Sequence, residues 1–391
     1  MERIEQAPRA DWQSKLEEVG VIYHSNGAEP SSGSDGGLWW WEGSHWKLTT
    51  EEVDSLDDAT VELHARCLDA VDYAVNKDPV LLREAFGMPD WFAEYVERSW
   101  KRRDPYLMGR MDLAFDDRAG DIKLIEYNAD TPTLAIETAV AQWFWLLDTH
   151  PSADQFNSLH EKLLERFKGI APLLGGAPLH FTAFKDSQEE WAHSIYFRDL
   201  AQQAGIRTIG IDIPMVGWNG LHFVDEGDAP VRFLHKLYPW EWAVTDAFGP
   251  HWPKDSCGVL EPAWKAILSN KALLPLLWKL FPGHPNLLES HMGRARAGAP
   301  GEWVEKPCLG REGANVTILR DGAPLEHTDG TYGGSEALFV TQKRAVLPQR
   351  DGWNAVIGSW VVGEEAAGII FRESRETIVR DCSRVVPHVF F

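Results

Sequence analysis

Leu124-Ile125-Glu126-Tyr127-Asn128-Ala129-Asp130-Thr131-Pro132-Thr133, with Gly109-Arg110-Met111-Asp112 just upstream, packs acids, an arginine, an asparagine and two threonines into a segment otherwise apolar enough for a core. Leu113 to Phe115 and Ile122 to Tyr127 read as short strands, and Asp116-Asp117-Arg118-Ala119-Gly120 between them has turn chemistry. A hairpin centred near residue 119 sets Asp112 opposite Glu126, where side chains come within about 5 Å of each other. Asn128 falls on the same face two residues on. Like charges held that close call for a cation between them. An Asp/Glu/Asn set offers only hard oxygen ligands, which suits Mg²⁺ bridging phosphates. Arg110 has the parity of Asp112 and can fork onto a phosphoryl or carboxylate oxygen. On spacing alone the carboxylate pair fits a glycosidase or plain solvated acids equally well. Thr131-Pro132-Thr133 ends the strand. An apolar helix follows from Leu134 through Trp143 to Leu147, and the free N–H groups at its mouth favour an anion.

Around this stretch, 391 residues exceed one typical core, so two or three subdomains are expected about one site. A net charge of −21 argues against a nucleic-acid binder, which needs Lys/Arg surfaces, and is compatible with a cationic partner such as an amine. The four cysteines, Cys67, Cys257, Cys308 and Cys382, form no CxxC pair and are expected as free thiols in a reducing compartment. Met1-Glu2-Arg3-Ile4-Glu5 is no signal peptide, and the apolar runs fall short of the ~18–20 residues of a membrane span. The expectation is a cytoplasmic protein without membrane partners. Nineteen tryptophans predict extensive core packing, with a stacking platform for sugars or bases as the lesser alternative.

Residues 1–105 read as a helical and aromatic scaffold. It comprises a short helix at 11–19, a Gly/Ser/Pro-rich loop from Ser25 to Gly37, and an aromatic edge at Leu38-Trp39-Trp40-Trp41. Thr49 and Glu52 form a capping-box signature before a helix with Val53, Leu56, Leu63, Cys67, Val71 and Ala74 on one stripe. A second helix from about Pro89 turns Trp91, Phe92, Tyr95, Val96 and Trp100 inward. Residues 106–260 add the hairpin, a helix at 155–168, and strand, helix and strand over 179–211, which make a βαβ unit. Glu189 and Glu190 at its strand-to-helix turn can receive an amine, or simply favour a helix N-terminus. A strand at Val231–Lys236 leads into Leu237-Tyr238-Pro239-Trp240-Glu241, an aromatic corner with no chemistry of its own.

Residues 261–345 carry a strand at Trp303–Pro307 that runs into Cys308-Leu309-Gly310-Arg311-Glu312-Gly313-Ala314-Asn315-Val316. No helix follows, which excludes a Walker A loop. A flap whose backbone N–H groups cover phosphates is the alternative, with Lys271 and Lys306 neutralising charge. Thr331-Tyr332-Gly333-Gly334 is expected as a second cover, and Ala337 to Gln342 as a strand whose backbone faces an adenine edge. Residues 346–391 complete the site with strands at Trp353–Val362 and Ala367–Arg372.

Together with Glu261-Pro262-Ala263-Trp264-Lys265, Ser269-Asn270-Lys271-Ala272-Leu273-Leu274-Pro275, Lys306-Pro307, Gly358-Ser359-Trp360 and Ala367-Gly368-Ile369-Ile370-Phe371-Arg372-Glu373, these motifs resemble the synthetase half of the glutathionylspermidine synthase family. The closer likeness is to its short stand-alone relatives, described as acid–amine ligases. The resemblance covers nearly the whole chain. It implies an α+β, permuted ATP-grasp fold with antiparallel sheets and surrounding helices, and an ATP-dependent ligase joining a small acid to a small amine through an acyl phosphate. By matching position, Asp112, Glu126 and Asn128 would hold Mg²⁺, and Arg110 and Arg372 would flank the transferred phosphoryl group. Lys271, Lys306, Gly310, Arg311, Glu312, Gly313 and Gln342 would bind ATP. Asp130, Thr131 and Thr133 would grip the acid, and Glu189 and Glu190 the amine. The family's bifunctional members carry an amidase domain that has no counterpart in these residues, so amide hydrolysis is not expected. Arg384 stands about where the family has an acid near the polyamine end, which sets spermidine in question. A nucleotide-binding pseudo-enzyme and a carbohydrate-binding protein are the competing readings.

Overall fold

The hairpin forms from Met108–Asp116 and Asp121–Asn128, joined by a turn at 117–120. The computed structural model describes residues 1–25, 38–295, 298–334, 336–380 and 383–391; all but the first residue of the Ser25–Gly37 loop, and Cys382, lie outside them. Near the turn Asp116 pairs with Asp121 and Leu113 with Leu124, one residue off the expected register. A bulge between Asp112 and Leu113 absorbs the difference, so Asp112 faces Glu126 and Arg110 faces Asn128. Trp353–Val362 pairs with the inner hairpin strand and with Glu365–Ser374, and Arg384–Val386 closes that edge, all antiparallel. Every residue of Trp353–Val362 is buried, because the sheet is covered on both faces.

The helix Thr50–Asn76 covers one face. Thr49 and Glu52 complete the expected capping box, and Val53, Leu56, Leu63, Cys67, Val71 and Ala74 are all buried. In Asp90–Lys101, Phe92, Tyr95 and Val96 are buried, whereas Trp91 and Trp100 are only partly so. Trp40, Trp46, Trp145, Trp240, Trp264 and Trp360 are almost wholly buried, as core packing requires. Cys67, Cys257 and Cys308 are buried free thiols. The apolar helix after Thr133 widens into a π-turn at Glu137–Ala141 before continuing through Gln142–Thr149.

Two sheets depart from the antiparallel expectation: Ser44–Leu48 pairs in parallel with His388–Phe390, and a four-stranded sheet is parallel throughout. Leu179–Ala183 lies between Thr208–Asp212 and Phe233–Lys236, with Gly258–Leu260 outermost, and every pairing is parallel, as the βαβ pattern demands. A five-stranded antiparallel sheet holds the flap, with Phe339–Lys343 between Ser290–Met292 and Glu302–Pro307. Among the described residues no helix is long and apolar enough to cross a membrane.

The parallel sheet is tied to the hairpin by a buried ion pair. Asp130, 3% exposed, accepts from Lys236 Nζ at 2.5 Å and from the Trp240 backbone N–H at 2.7 Å. Ser269 Oγ accepts the backbone N–H groups of Ala129 and Asp130 at 3.0 and 2.8 Å. Asp130→Ala would leave the Lys236 ammonium unpaired in the core, which typically costs about 3–5 kcal/mol. The expected result is a lower urea midpoint at unchanged slope; an unaltered midpoint would show that the pair braces nothing.

Candidate active site

Glu126, Lys271, Gly310, Arg311, Glu312 and Arg372 stand where two clefts meet, lining both. The first cleft, of about 990 Å³ including its mouth, is walled by Ile125, Leu288, Val304, Leu347 and Val356, with Lys306, Gln342 and Arg344 also lining it. It has the shape and apolarity for a flat base. The second, of about 1380 Å³ with its mouth, carries Arg110, Thr131, Thr133, Glu189, Glu190 and Glu241.

At the junction the acids are already matched by cations. Arg110 Nε lies 3.2 Å from Asp112 Oδ1, and its Nη1 donates to the Thr133 carbonyl at 2.6 Å. Lys271 Nζ stands 3.1 Å from Glu126 Oε2 and donates to the Gly310 carbonyl at 2.8 Å. Lys306 Nζ donates to the Ile125 carbonyl at 2.8 Å. Burial pushes the Glu126 carboxyl up, but Lys271, Lys306 and Arg110 outweigh it and hold its pKa near about 2. Burial brings the Lys306 ammonium down to about 8 against the pull of Glu126. Burial also lowers Arg372, whose Nε has no hydrogen-bond partner and whose Nη2 donates to the Arg380 carbonyl.

Asp112, Glu126 and Asn128 share the face that the sequence assigned them, and they fit a hard cation. Among the described residues no three of His, Cys, Asp and Glu gather as a metal cage. Two carboxylates and an amide instead suit a Mg²⁺ that keeps most of its shell for water and phosphate oxygens. The Asn128 amide nitrogen is buried without an acceptor, and a half-turn of the amide offers its oxygen there instead.

The Cys308–Val316 turn is shaped by its glycines. A Cβ on Gly313, at φ +69°, would come 2.8 Å from the Val379 carbonyl, so only glycine lets the flap lie this close. Thr328 Oγ accepts from the Val316 N–H at 3.0 Å and donates to the Gly313 carbonyl. The Tyr332 N–H donates to Asn315 Oδ1 at 2.8 Å, so the expected second cover rests on the flap itself.

Several residues sit otherwise than expected. Arg311 turns from the flap to Thr131 Oγ1 at 2.8 Å, Glu241 at 3.5 Å and the Trp242 ring. Asp130 borders the second cleft, but both its oxygens are taken by Lys236 and Trp240. The backbone of Phe339–Lys343 is paired on both sides, which leaves no free edge for adenine, and Gln342 Nε2 braces the Leu124 carbonyl at 3.1 Å. Arg384 donates to Glu373 at 3.0 Å and packs against the Trp41 and Trp353 rings, and it lines neither cleft. Glu189 and Glu190 do face the second cleft, and burial raises both carboxyls. Sequence reasoning missed Glu241, dismissed with its aromatic corner, and Trp39, whose only signal was the aromatic run around it.

The family model described as "Glutathionylspermidine synthase preATP-grasp" matches residues 3–391. A Haemophilus influenzae protein called "Putative acid--amine ligase" is 36% identical over 408 residues, covering 100% of both chains. Trypanothione synthetase of Crithidia fasciculata is 28% identical over 81% of this chain and 52% of its own length. The bifunctional glutathionylspermidine synthetase/amidase of Escherichia coli is 27% identical over 88% of this chain, which spans 59% of that protein. Among solved structures, a glutathione synthetase-like effector of Globodera pallida in apo form shares the fold, with TM-score 0.53 and 11% identity over 99% of this chain and 98% of its own. Matched along its whole length by the family model and by a full-length relative, the chain belongs to the glutathionylspermidine synthase preATP-grasp family.

Proposed function

We propose that the protein is an ATP-dependent acid–amine ligase of ATP-grasp type. The observation that carries this reading is the meeting of an apolar cleft and a polar cleft at Glu126, Lys271, Arg372 and the glycine flap. ATP lies in the first cleft with its γ-phosphate at the junction. A carboxylate substrate, of peptide or amino-acid class, and an amine enter the second.

A carboxylate resists amines because it is anionic and its leaving group would be oxide. One of its oxygens attacks the γ-phosphorus, the bond from that phosphorus to the β-bridging oxygen breaks, and ADP leaves. Arg110 and Arg372 flank the transferred group, and Lys271 and Lys306 balance the phosphates, so the chain supplies positioning and charge neutralisation. Asp112, Glu126 and Asn128 would hold Mg²⁺, which would supply further neutralisation of the phosphate charge. Glu189 or Glu190, whose raised pKa favours uptake, takes the proton that turns the bound ammonium into a neutral amine; that amine attacks the acyl carbon, and phosphate departs with its bridging oxygen and the second proton. Thr131 and Thr133 line the path of the acid, while Asp130 holds their turn in place. A glycosidase reading fails on the charges: Asp112 and Glu126 are engaged by Arg110 and Lys271, and these cations hold Glu126 in its charged form rather than as a protonated acid.

Glu126→Ala should lower ADP release by about 10²-fold or more with the circular-dichroism melt intact; undiminished turnover would sink the assignment. The charged form of Lys306 is the one that attracts phosphate, and it is lost as pH rises through about 8. Mg-ATP affinity should therefore fall between pH 7 and 9, approaching tenfold per unit, and the slope should vanish in Lys306→Met. A flat profile in the unmodified protein would contradict this role.

A further inference from the structure

Glu137 is fully buried and takes no part in the chemistry above. The π-turn at Glu137–Ala141 places it at the start of a widened helical turn, a distortion that recurs at functional sites. Its Oε1 accepts from Trp39 Nε1 at 2.7 Å and from the Tyr23 hydroxyl at 2.9 Å. Its Oε2 lies 3.5 Å from His193 Nε2. His193 is itself fixed, with Nε2 accepting the Ala135 N–H at 3.0 Å and Nδ1 bonded to the Glu189 carbonyl at 2.8 Å. A buried carboxylate is costly where an apolar side chain would pack as well. What this one secures is the indole of Trp39.

Trp39 is held at every polar atom. Its N–H donates to the His24 carbonyl at 2.9 Å, and its carbonyl accepts from the Val385 N–H at 2.7 Å. Yet its ring is only partly buried, and it lines the second cleft beside Glu189, Glu190 and Leu134. One oxygen of Glu189 is buried without a hydrogen-bond partner among the described residues, and the Thr133 side chain stands against the same carboxylate. Carboxylates beside a fixed indole make a site for an alkylammonium ion, whose charge meets the acids and whose CH₂ groups and cationic face meet the ring.

We propose that Trp39 is the aromatic wall of the amine subsite, taking a cationic alkylamine between its ring and Glu189, and that Glu137 is the positioning residue for it. This rests on the ligase reading for the reaction, while the binding itself can be measured without turnover.

The probes are butylamine, 1,4-diaminobutane and spermidine, titrated calorimetrically into the full chain with Mg-ADP present. Trp39→Ala should weaken the tightest of them about tenfold while leaving Mg-ADP affinity unchanged, and Trp39→Phe should restore most of the loss. Trp39→Leu, which keeps bulk without a π-face, should match the alanine variant and serves if that variant does not fold. Glu137→Leu should weaken the amine while Mg-ADP affinity holds, and Glu137→Gln, which still accepts the indole N–H, should rescue it. Unaltered amine affinity in Trp39→Leu or Trp39→Ala, or no binding of any probe to the unmodified chain, overturns the proposal. Amine binding without ADP release from Mg-ATP and a pool of carboxylic acids would instead overturn the ligase reading and leave Trp39 in place.

Discussion

Two carboxylates facing each other across a pair of strands are the constraint on which the site depends. The bulge beside Asp112 sets it opposite Glu126, and the sheet that fixes this register is buried on both faces. Such a pair persists only where cations answer it. Arg110 comes from the same strand, Lys271 from the turn before a short helix, Lys306 from the flap sheet and Arg372 from the neighbouring hairpin. The acids thus draw four separate parts of the chain to one point, and that point is where the two clefts join.

This convergence links the fold to its proposed chemistry. The flap is anchored to the same lysine that pairs with Glu126, since Lys271 bonds both Glu126 and the Gly310 carbonyl. A polyphosphate and its metal entering here would exchange one set of charge pairs for another, with little exposed charge in either state. The parallel sheet contributes differently. Through Lys236 and Asp130 it fixes the turn that ends the hairpin, and through Glu189 and Glu190 it furnishes the acidic wall of the second cleft.

Much of the hairpin was legible because a strand's side-chain period is two, so parity pairs Arg110 with Asp112 and Glu126 with Asn128, and the register that sets Asp112 opposite Glu126 brings both pairs to one face. The bulge was not legible, and the correct pairing at Glu126 came with an incorrect one nearer the turn. The capping box at Thr49 and the stripe on its helix were local signals and appear as read. What sequence could not supply were partners distant along the chain. Asp130 lies in a run of site residues, so nothing nearby points to Lys236, 106 residues on. Arg311 belongs to the glycine flap by sequence, but Thr131 and Glu241 decide where its guanidinium goes. Trp39 and Glu137 are 98 residues apart, and nothing local to either points to the other.

The central claim is that a substrate carboxylate is activated by the γ-phosphoryl group of ATP at Glu126. The most direct measurement is mass spectrometry of the products formed from Mg-ATP, a pool of ¹⁸O-labelled carboxylic acids and a pool of amines. The account predicts a new amide, ADP, and inorganic phosphate carrying one ¹⁸O from the acid. Label appearing in AMP, or amide formation without labelled phosphate, would contradict it.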